Sequence, residues 1–212
     1  MDAITAKQIV ERGYDRIAEQ YLAAKDAAEE PATLSALEEL TRGLPPGDAV
    51  LDLGCGAGVP ATRWLSERFA VTGVDISARQ LELARRHAPA ATLIQGDMST
   101  LDLPDSTFGA VAAFYAIIHL PRAEQPALLR RIHRWLRPGG RFLATWALYA
   151  WEGDDRDWQG WGAPMWWSHH DAETSRWLLQ EAGLQIASAA VRSHGGETWL
   201  WVLAEKPDVT IP

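Results

Sequence analysis

The chain is predicted to fold as an α/β protein, with a mostly parallel, doubly wound sheet and helices on both faces. Two observations carry this. The first is the stretch AVLDLGCGAG, Ala49 to Gly58, where a short apolar run enters a turn of alternating glycines and a helical pattern follows from Pro60 to Phe69. Glycines at a strand-to-helix turn let the main chain bend tightly and let a ligand approach bare backbone. The second is the series of strand-length apolar runs that follows: AVTGVD at 70–75, ATLIQ at 91–95 and the uninterrupted Ala110 to Tyr115, interleaved with helical patterns at 78–88 and 123–136. A run apolar on both faces fits a central parallel strand, and strands alternating with helices fit a parallel sheet.

The elements follow in order. Val10, Tyr14, Ile17 and Tyr21 recur at helical spacing, so 4–26 reads as a helix; a second starts at Pro31 and ends by Gly43. Together 1–43 form an expected N-terminal helical cap. Strand 49–53 leads through the glycine turn to a helix over 59–68, and strand 70–75 ends at Asp75. Ser77 suits the N-cap of the helix at 78–88. After the run at 91–95 comes a tight turn, Gly96-Asp97-Met98, then the strand to Tyr115 and the helix 123–136. Leu136-Arg137-Pro138-Gly139-Gly140 turns the chain into strand RFLATW at 141–146. A Trp-rich insert occupies 147–170. Asp171 and Gly183 bracket a helix over 171–182, strands at 184–192 and 197–204 form a terminal hairpin around His194-Gly195-Gly196, and the tail from Pro207 looks loose.

At 212 residues one domain over 1–212 is the natural count. Apolar residues make up 47% and charged residues 23%, a globular balance, and no apolar run approaches the ~20 residues of a membrane span. The amphipathic N-terminus lacks the apolar core of a signal peptide, so a cytoplasmic location is expected. The single Cys55 excludes an internal disulfide and a multi-cysteine metal site. A net charge of −8 without a basic stripe argues against nucleic-acid binding; Arg130, Arg131, Arg134 and Arg137 fall at helical spacing near a helix end and suit a solvated face.

The ligand class follows from charge. A dinucleotide fingerprint spaces its glycines G-x-G-x-x-G and seats a pyrophosphate. Here Gly54, Gly56 and Gly58 are spaced G-x-G-x-G, and Asp52 precedes them. A carboxylate there disfavours phosphate and suits a cation such as an ammonium or a sulfonium. An ordinary strand-turn-helix and a nicotinamide site are the competing readings. On these residues VLDLGCGAG resembles the first motif of the class I methyltransferases that use S-adenosylmethionine (SAM). Asp75, at the C-terminal end of its strand, has the two acceptors that a ribose diol needs; Asp97 is a third acid at a strand end.

The resemblance implies further roles. The fold would be Rossmann-like, a seven-stranded sheet closed by the antiparallel C-terminal hairpin. Asp52, Gly54, Cys55, Gly56 and Gly58 would surround the methionine part of SAM, with Phe114 and Tyr115 below it. Asp75 would hold the ribose, Ile76 one adenine face, and Asp97 and Met98, after Gly96, the adenine edge; Gln80 is a further contact. GYDRIAEQY is similar to the N-terminal element of methyltransferases related to the quinone-biosynthesis enzymes, which places Tyr14 and Tyr21 in a lid; a core stripe is the other reading of the same two tyrosines. Gly109 departs from the family pattern, which has an acid there.

Nine of the 11 Trp lie at or after Trp146, most of them in the insert. The insert shows no clean period, and a long irregular connection at this edge reads as substrate cover. Trp146, Trp151, Trp166 and Trp167, with His169, are the expected acceptor-binding residues; a flat aromatic or a cationic amine would suit such walls. A loop packing its own hydrophobic cluster is the alternative. His119, His169, His170 and Tyr115 are the candidates for a catalytic base. No metal is expected, because the histidines lack i, i+4 pairing. The predicted activity is methyl transfer from SAM to a small molecule, releasing S-adenosylhomocysteine (SAH), by a monomer or homodimer. A non-methylating SAM enzyme such as a cyclase, a nicotinamide oxidoreductase and a SAM-holding regulator stay open as alternatives.

Overall fold

A computed structural model describes residues 2–26, 31–194 and 197–208. Five strands run parallel: β1 (Ala49–Leu53), β2 (Ala70–Asp75), β3 (Thr92–Gln95), β4 (Phe108–Ala113) and β5 (Leu136–Trp146). Between β5 and the C-terminal strands the chain forms a separate hairpin, β6 (Trp151–Asp155) and β7 (Met165–His169). Then β8 (Gln185–His194) and β9 (Glu197–Glu205) pair with each other, and β9 joins the sheet antiparallel to β5. The sheet order is β3-β2-β1-β4-β5-β9-β8, the expected seven-stranded Rossmann-like sheet with its antiparallel C-terminal pair. Gly195 and Gly196 of the predicted turn, and the tail after Asp208, lie outside the described residues.

Six helices accompany the strands among the described residues: α1 (Ala3–Asp26), α2 (Pro31–Leu40), α3 (Ala61–Ser66), α4 (Ala78–His87), α5 (Gln125–Trp135) and α6 (Ala172–Glu181). Strand alternation divides the core into two layers. Leu51, Leu53, Val111 and Ala113 face Leu128, Leu129 and Ile132 of α5 and Leu178 and Leu179 of α6. Val50, Ala110 and Ala112 face Leu37 and Leu40 of α2 and Leu65 of α3. Every residue of β4 is buried, as its unbroken apolar sequence requires. None of the described helices is long and apolar enough to cross a membrane.

Two local findings qualify the sequence reading. Gly109 sits under an ion pair: a Cβ built there would meet Asp48 Oδ2 at 2.8 Å and Arg137 Nη2 at 3.0 Å. Arg137 Nη1 donates to Asp48 Oδ1 at 2.7 Å, so residue 48 supplies an acid beside the position where the family pattern carries one. The insert, expected to be irregular, is a hairpin in which Trp151 pairs with His169 and Asp155 with Met165. Its tryptophans show no period because a tight turn at Trp158–Gly160 interrupts them and because both faces of β7 are covered, with Met165, Trp166 and Ser168 buried.

The hairpin packs on α1. Met165, Trp166 and Ala163 form one cluster with Ala6, Val10 and Ile17. Gly13 makes this possible: a Cβ there would lie 2.5 Å from Pro164 O and 3.0 Å from Met165 Cε. A glycine inside a helix costs about 1 kcal/mol relative to alanine, and here the close approach of two backbones accounts for it. α1 also docks on the start of α4, where Asp15 Oδ1 accepts from Ser77 Oγ (2.6 Å) and Arg79 N (3.1 Å). Helix and hairpin thus meet above the C-terminal ends of the parallel strands.

Candidate functional site

Two adjoining cavities lie at that edge. The inner one is lined by the glycine turn (Gly54, Cys55, Gly56), the strand-end residues Asp75, Ile76, Gly96, Asp97, Met98, Phe114 and Tyr115, Gln80 of α4, and Lys7, Tyr14 and Tyr21 of α1. The turn is built for bare backbone. Gly54 has φ +72°, its N–H and that of Cys55 both donate to Val74 O (2.8 and 2.9 Å), and a Cβ at 54 would collide with Ala116. Gly56 has φ +55° and its N–H donates to Asp75 Oδ2 at 2.8 Å, while Asp75 Oδ1 accepts from Ser77 N at 2.9 Å. The carboxylate of Asp75 therefore ties the glycine turn to the start of α4 while lining the cavity.

Gln80 is 1% exposed, and neither its Nε2 nor its Oε1 has a protein partner. A buried amide left unpaired costs ~1–3 kcal/mol, so its place on the wall marks a position for a polar ligand group. Tyr115 adopts φ +53° directly after β4, a conformation that non-glycine residues rarely adopt and that persists where the surroundings impose it. Its N–H donates to Thr145 Oγ1 at 2.6 Å.

Lys7 carries no local sequence signal. Its ammonium reaches Asp97 Oδ2 (2.7 Å), Glu124 Oε2 (2.9 Å) and Ser99 Oγ (3.3 Å), fastening α1 across the rim of the inner cavity. Burial opposes the charge on Lys7, but the bonds to Asp97 and Glu124 outweigh it and hold its pKa above the ordinary lysine value. Burial likewise works against the charge of Asp97, and Lys7 and Ser99 overcome it, so that carboxyl stays below the usual range. A partly exposed ion pair of this kind stabilises by about 1 kcal/mol. Lys7→Met, which keeps the stem and removes the charge, is expected to speed amide hydrogen exchange in the first turns of α1 about fivefold. An unchanged rate would mean that Lys7 does not fasten the helix.

The outer cavity, about 560 Å³, falls within the usual size of small-molecule sites. Its walls are aromatic: Trp151, Trp158, Trp161 and Trp167 from the hairpin region, Trp199 of β9, and Tyr14, Tyr21, Tyr115 and Tyr149. The rings form a continuous wall, Trp161 to Trp158 at 5.5 Å, Trp158 to Trp167 at 5.5 Å and Trp167 to Trp151 at 6.0 Å between centroids. Tyr14, Tyr21, Tyr115 and His119 line both cavities and form the partition.

His119 is held at both nitrogens. Nδ1–H donates to Trp166 O at 2.7 Å, which leaves Nε2 to accept from Tyr14 Oη–H at 2.9 Å. Burial lowers its pKa to about 4. Burial, with Tyr21 and Asp75 nearby, pushes the Tyr14 phenol well above its ordinary value. The pair is thus neutral, and an imidazole with both nitrogens engaged is a weak base at neutral pH. His169 differs: Nδ1 donates to Tyr149 O at 2.7 Å, so Nε2 carries the lone pair, and burial lowers its pKa.

Several expected site residues lie elsewhere. Asp52 is 2% exposed and lines neither cavity; its Oδ2 accepts from Thr62 Oγ1 at 2.6 Å, beneath α3. Gly58 is also off the wall: a Cβ there would press on Ala84, so it serves the packing of the turn against α4. Trp146 belongs to the main core, Trp166 to the α1–hairpin cluster, and His170 lines neither cavity. Trp158, Trp161 and Trp199 take the places expected for Trp146 and Trp166. Among the described residues no group of three or more His, Cys, Asp or Glu is placed to hold a metal ion.

Residues 50–140 match the family model for a methyltransferase domain. Phosphoethanolamine N-methyltransferase 3 of Arabidopsis thaliana is 30% identical over 156 residues, which is 71% of this chain and 31% of that protein. The chain spans about a third of the length of the first curated relatives it matches. Among solved structures, the 1,6-didemethyltoxoflavin-N1-methyltransferase of Burkholderia thailandensis, with 1,6-didemethyltoxoflavin and SAH bound, superposes with a TM-score of 0.72 at 20% identity, over 98% of this chain and 92% of that one. The [4+2]-cyclase SpnF gives a TM-score of 0.72 at 20% identity, over 93% of this chain and 94% of that one. At these identities the likeness to both structures is one of fold.

Proposed function

We propose that the chain, whose residues 50–140 match a methyltransferase domain and which resembles SAM-dependent methyltransferases of class I beyond it, methylates a small molecule held in the outer cavity. One observation carries the proposal: a cavity of strand-end acids and bare backbone shares a wall of four side chains with a second, aromatic cavity. Residues that border both cavities bring a ligand in each to a common edge, where a methyl group on one side can meet an acceptor on the other.

The residues of the inner cavity fit SAM. Asp75 would accept from the ribose hydroxyls, Ile76 would cover an adenine face, and Asp97 with the N–H of Met98 would read the adenine edge. The unpaired amide of Gln80 supplies both a donor and an acceptor to the same ligand. The backbone of Gly54 to Gly56 would lie along the methionine part, and Phe114 and Tyr115 beneath it. When bound, SAM supplies an electrophilic methyl group on a sulfonium.

The chain itself chiefly positions and excludes. Holding two reactants in near-attack geometry lowers a barrier by ~7–11 kcal/mol. The rings of Trp158, Trp161 and Trp167 line the outer cavity as one row, and Tyr14 with His119 ties α1 to the hairpin where the two cavities adjoin. Where the acceptor must lose a proton, His169 Nε2 is the group to take it, since its other nitrogen is already committed.

Incubation with methyl-tritiated SAM and a small-molecule extract tests the proposal. Label is expected in a product below about 1 kDa, with equal formation of SAH. Turnover of an extract component without SAH would replace methyl transfer with a cyclase-like chemistry.

A further inference from the structure

The acceptor cavity carries a chemical bias that its shape alone does not. Among the described residues lining it there is no Lys or Arg, and the one carboxylate is Glu197. Its two histidines, His119 and His169, both have pKa values lowered by burial and are neutral at pH 7. The remaining wall is largely indole and phenol. Aromatic faces carry negative charge density, and several rings turned on one space attract a cation far more than they attract a neutral group of the same shape. The rings meet edge to face: Trp158 with Tyr14, Trp161 and Trp167 at 80°, 65° and 78°, and Tyr115 with Trp199 at 78°. At these angles the rings do not stack into a slab, so they offer faces as well as edges along the lining.

We propose that the outer cavity selects an apolar organic cation and rejects anions: a lipophilic amine enters as its ammonium form, gives its proton to His169 Nε2, and the freed lone pair takes the methyl group from SAM, leaving a methylated ammonium and SAH. This deepens the proposed function by naming the acceptor class, and it rests on that reading only in taking the outer cavity as the acceptor site. It also separates the chain from its phosphoethanolamine-methylating relatives. Arg and Lys are the strongest charged partners of a phosphate, and the described wall has neither. Glu197, exposed at the start of β9, is the one carboxylate among the described lining residues and would steer cations toward the rings.

The experiment uses the full chain saturated with SAH and reads tryptophan fluorescence, since five indoles line the space. Three probes of one shape are titrated: 3-phenylpropyl-trimethylammonium, its neutral isostere with carbon in place of nitrogen, and 4-phenylbutyrate. The cation is expected to bind at least tenfold more tightly than the neutral isostere, and the carboxylate not at all; phosphoethanolamine is expected to give no signal. Trp158→Leu is expected to remove most of the preference, and Glu197→Gln to reduce it about threefold. Equal or tighter binding of the neutral isostere, binding of the anion, or binding of no probe overturns the proposal. If Trp158→Leu fails to fold, Trp161→Leu, on the same wall, gives the same reading. Calorimetry with SAH runs alongside: absence of SAH binding would sink the proposed function, while the cation preference stands or falls on the probes alone.

Discussion

Asp75→Ala is expected to weaken SAH binding at least a hundredfold in isothermal titration, while circular dichroism stays native. The carboxylate is 9% exposed and already accepts from Gly56 N and Ser77 N. It therefore acts twice: it fixes the glycine turn against α4, and it offers its remaining acceptor capacity to a ribose diol. Hydrogen bonds to a charged acceptor contribute ~1.5–3 kcal/mol each, so losing two of them costs about 3 kcal/mol or more, close to a hundredfold or beyond. Asp75→Asn keeps one acceptor oxygen and is expected to fall between the two. Affinity within threefold of wild type in Asp75→Ala would remove the ribose from this position. A loss of fold without loss of affinity in the surviving native fraction would reduce Asp75 to a support of the turn.

The parts of this site that the sequence makes legible are those written in local pattern. The glycine turn and the strand ends at Asp75, Asp97 and Tyr115 all reach the inner cavity, because strand-end positions in a parallel sheet share one edge. Asp52 does not, and the reason is alternation. Leu51 and Leu53 face the α5–α6 layer, Val50 faces the α2–α3 layer, and residue 52 must share the side of residue 50, where Thr62 meets it. Spacing before the glycines puts an acid beside the turn but does not say which side of the strand it takes.

The same period explains where the tryptophans fall. Phe142, Ala144 and Trp146 alternate into one core layer, so Trp146 was readable as core. Trp199 shares a side of β9 with Trp201, which packs in the other layer, and Trp199 itself lies where that side reaches the outer cavity. The contacts that close the site had no local signal at all. Lys7 meets Asp97 and Glu124, and Tyr14 meets His119, across separations of about a hundred residues. Such pairs exist only once α1 has folded back over the sheet.

Acidification is expected to loosen this cover through His119. The unfolded chain carries a histidine of pKa near 6.5, and burial lowers the folded value to about 4. Between those values the unfolded state binds a proton that the native state refuses. Stability therefore falls as pH drops from 6.5 toward 4, and above 6.5 the residue adds almost no pH dependence. The loss from pH 7 to pH 5 is about 2 kcal/mol for this one group. Urea denaturation at the two pH values measures it. In His119→Gln the stability difference between pH 7 and pH 5 is expected to shrink by that amount, because His169 and His170, also lowered by burial, contribute equally to both proteins. An unchanged pH difference would show that His119 is protonated without cost in the native state. Protonation also converts Nε2 from acceptor to donor, so the Tyr14 hydroxyl must turn its hydrogen away and accept, and a charge is left buried in the link that joins α1 to β7 through the imidazole. Wild-type affinity for SAH should accordingly decline with stability on the acid side, and the two curves should separate in His119→Gln.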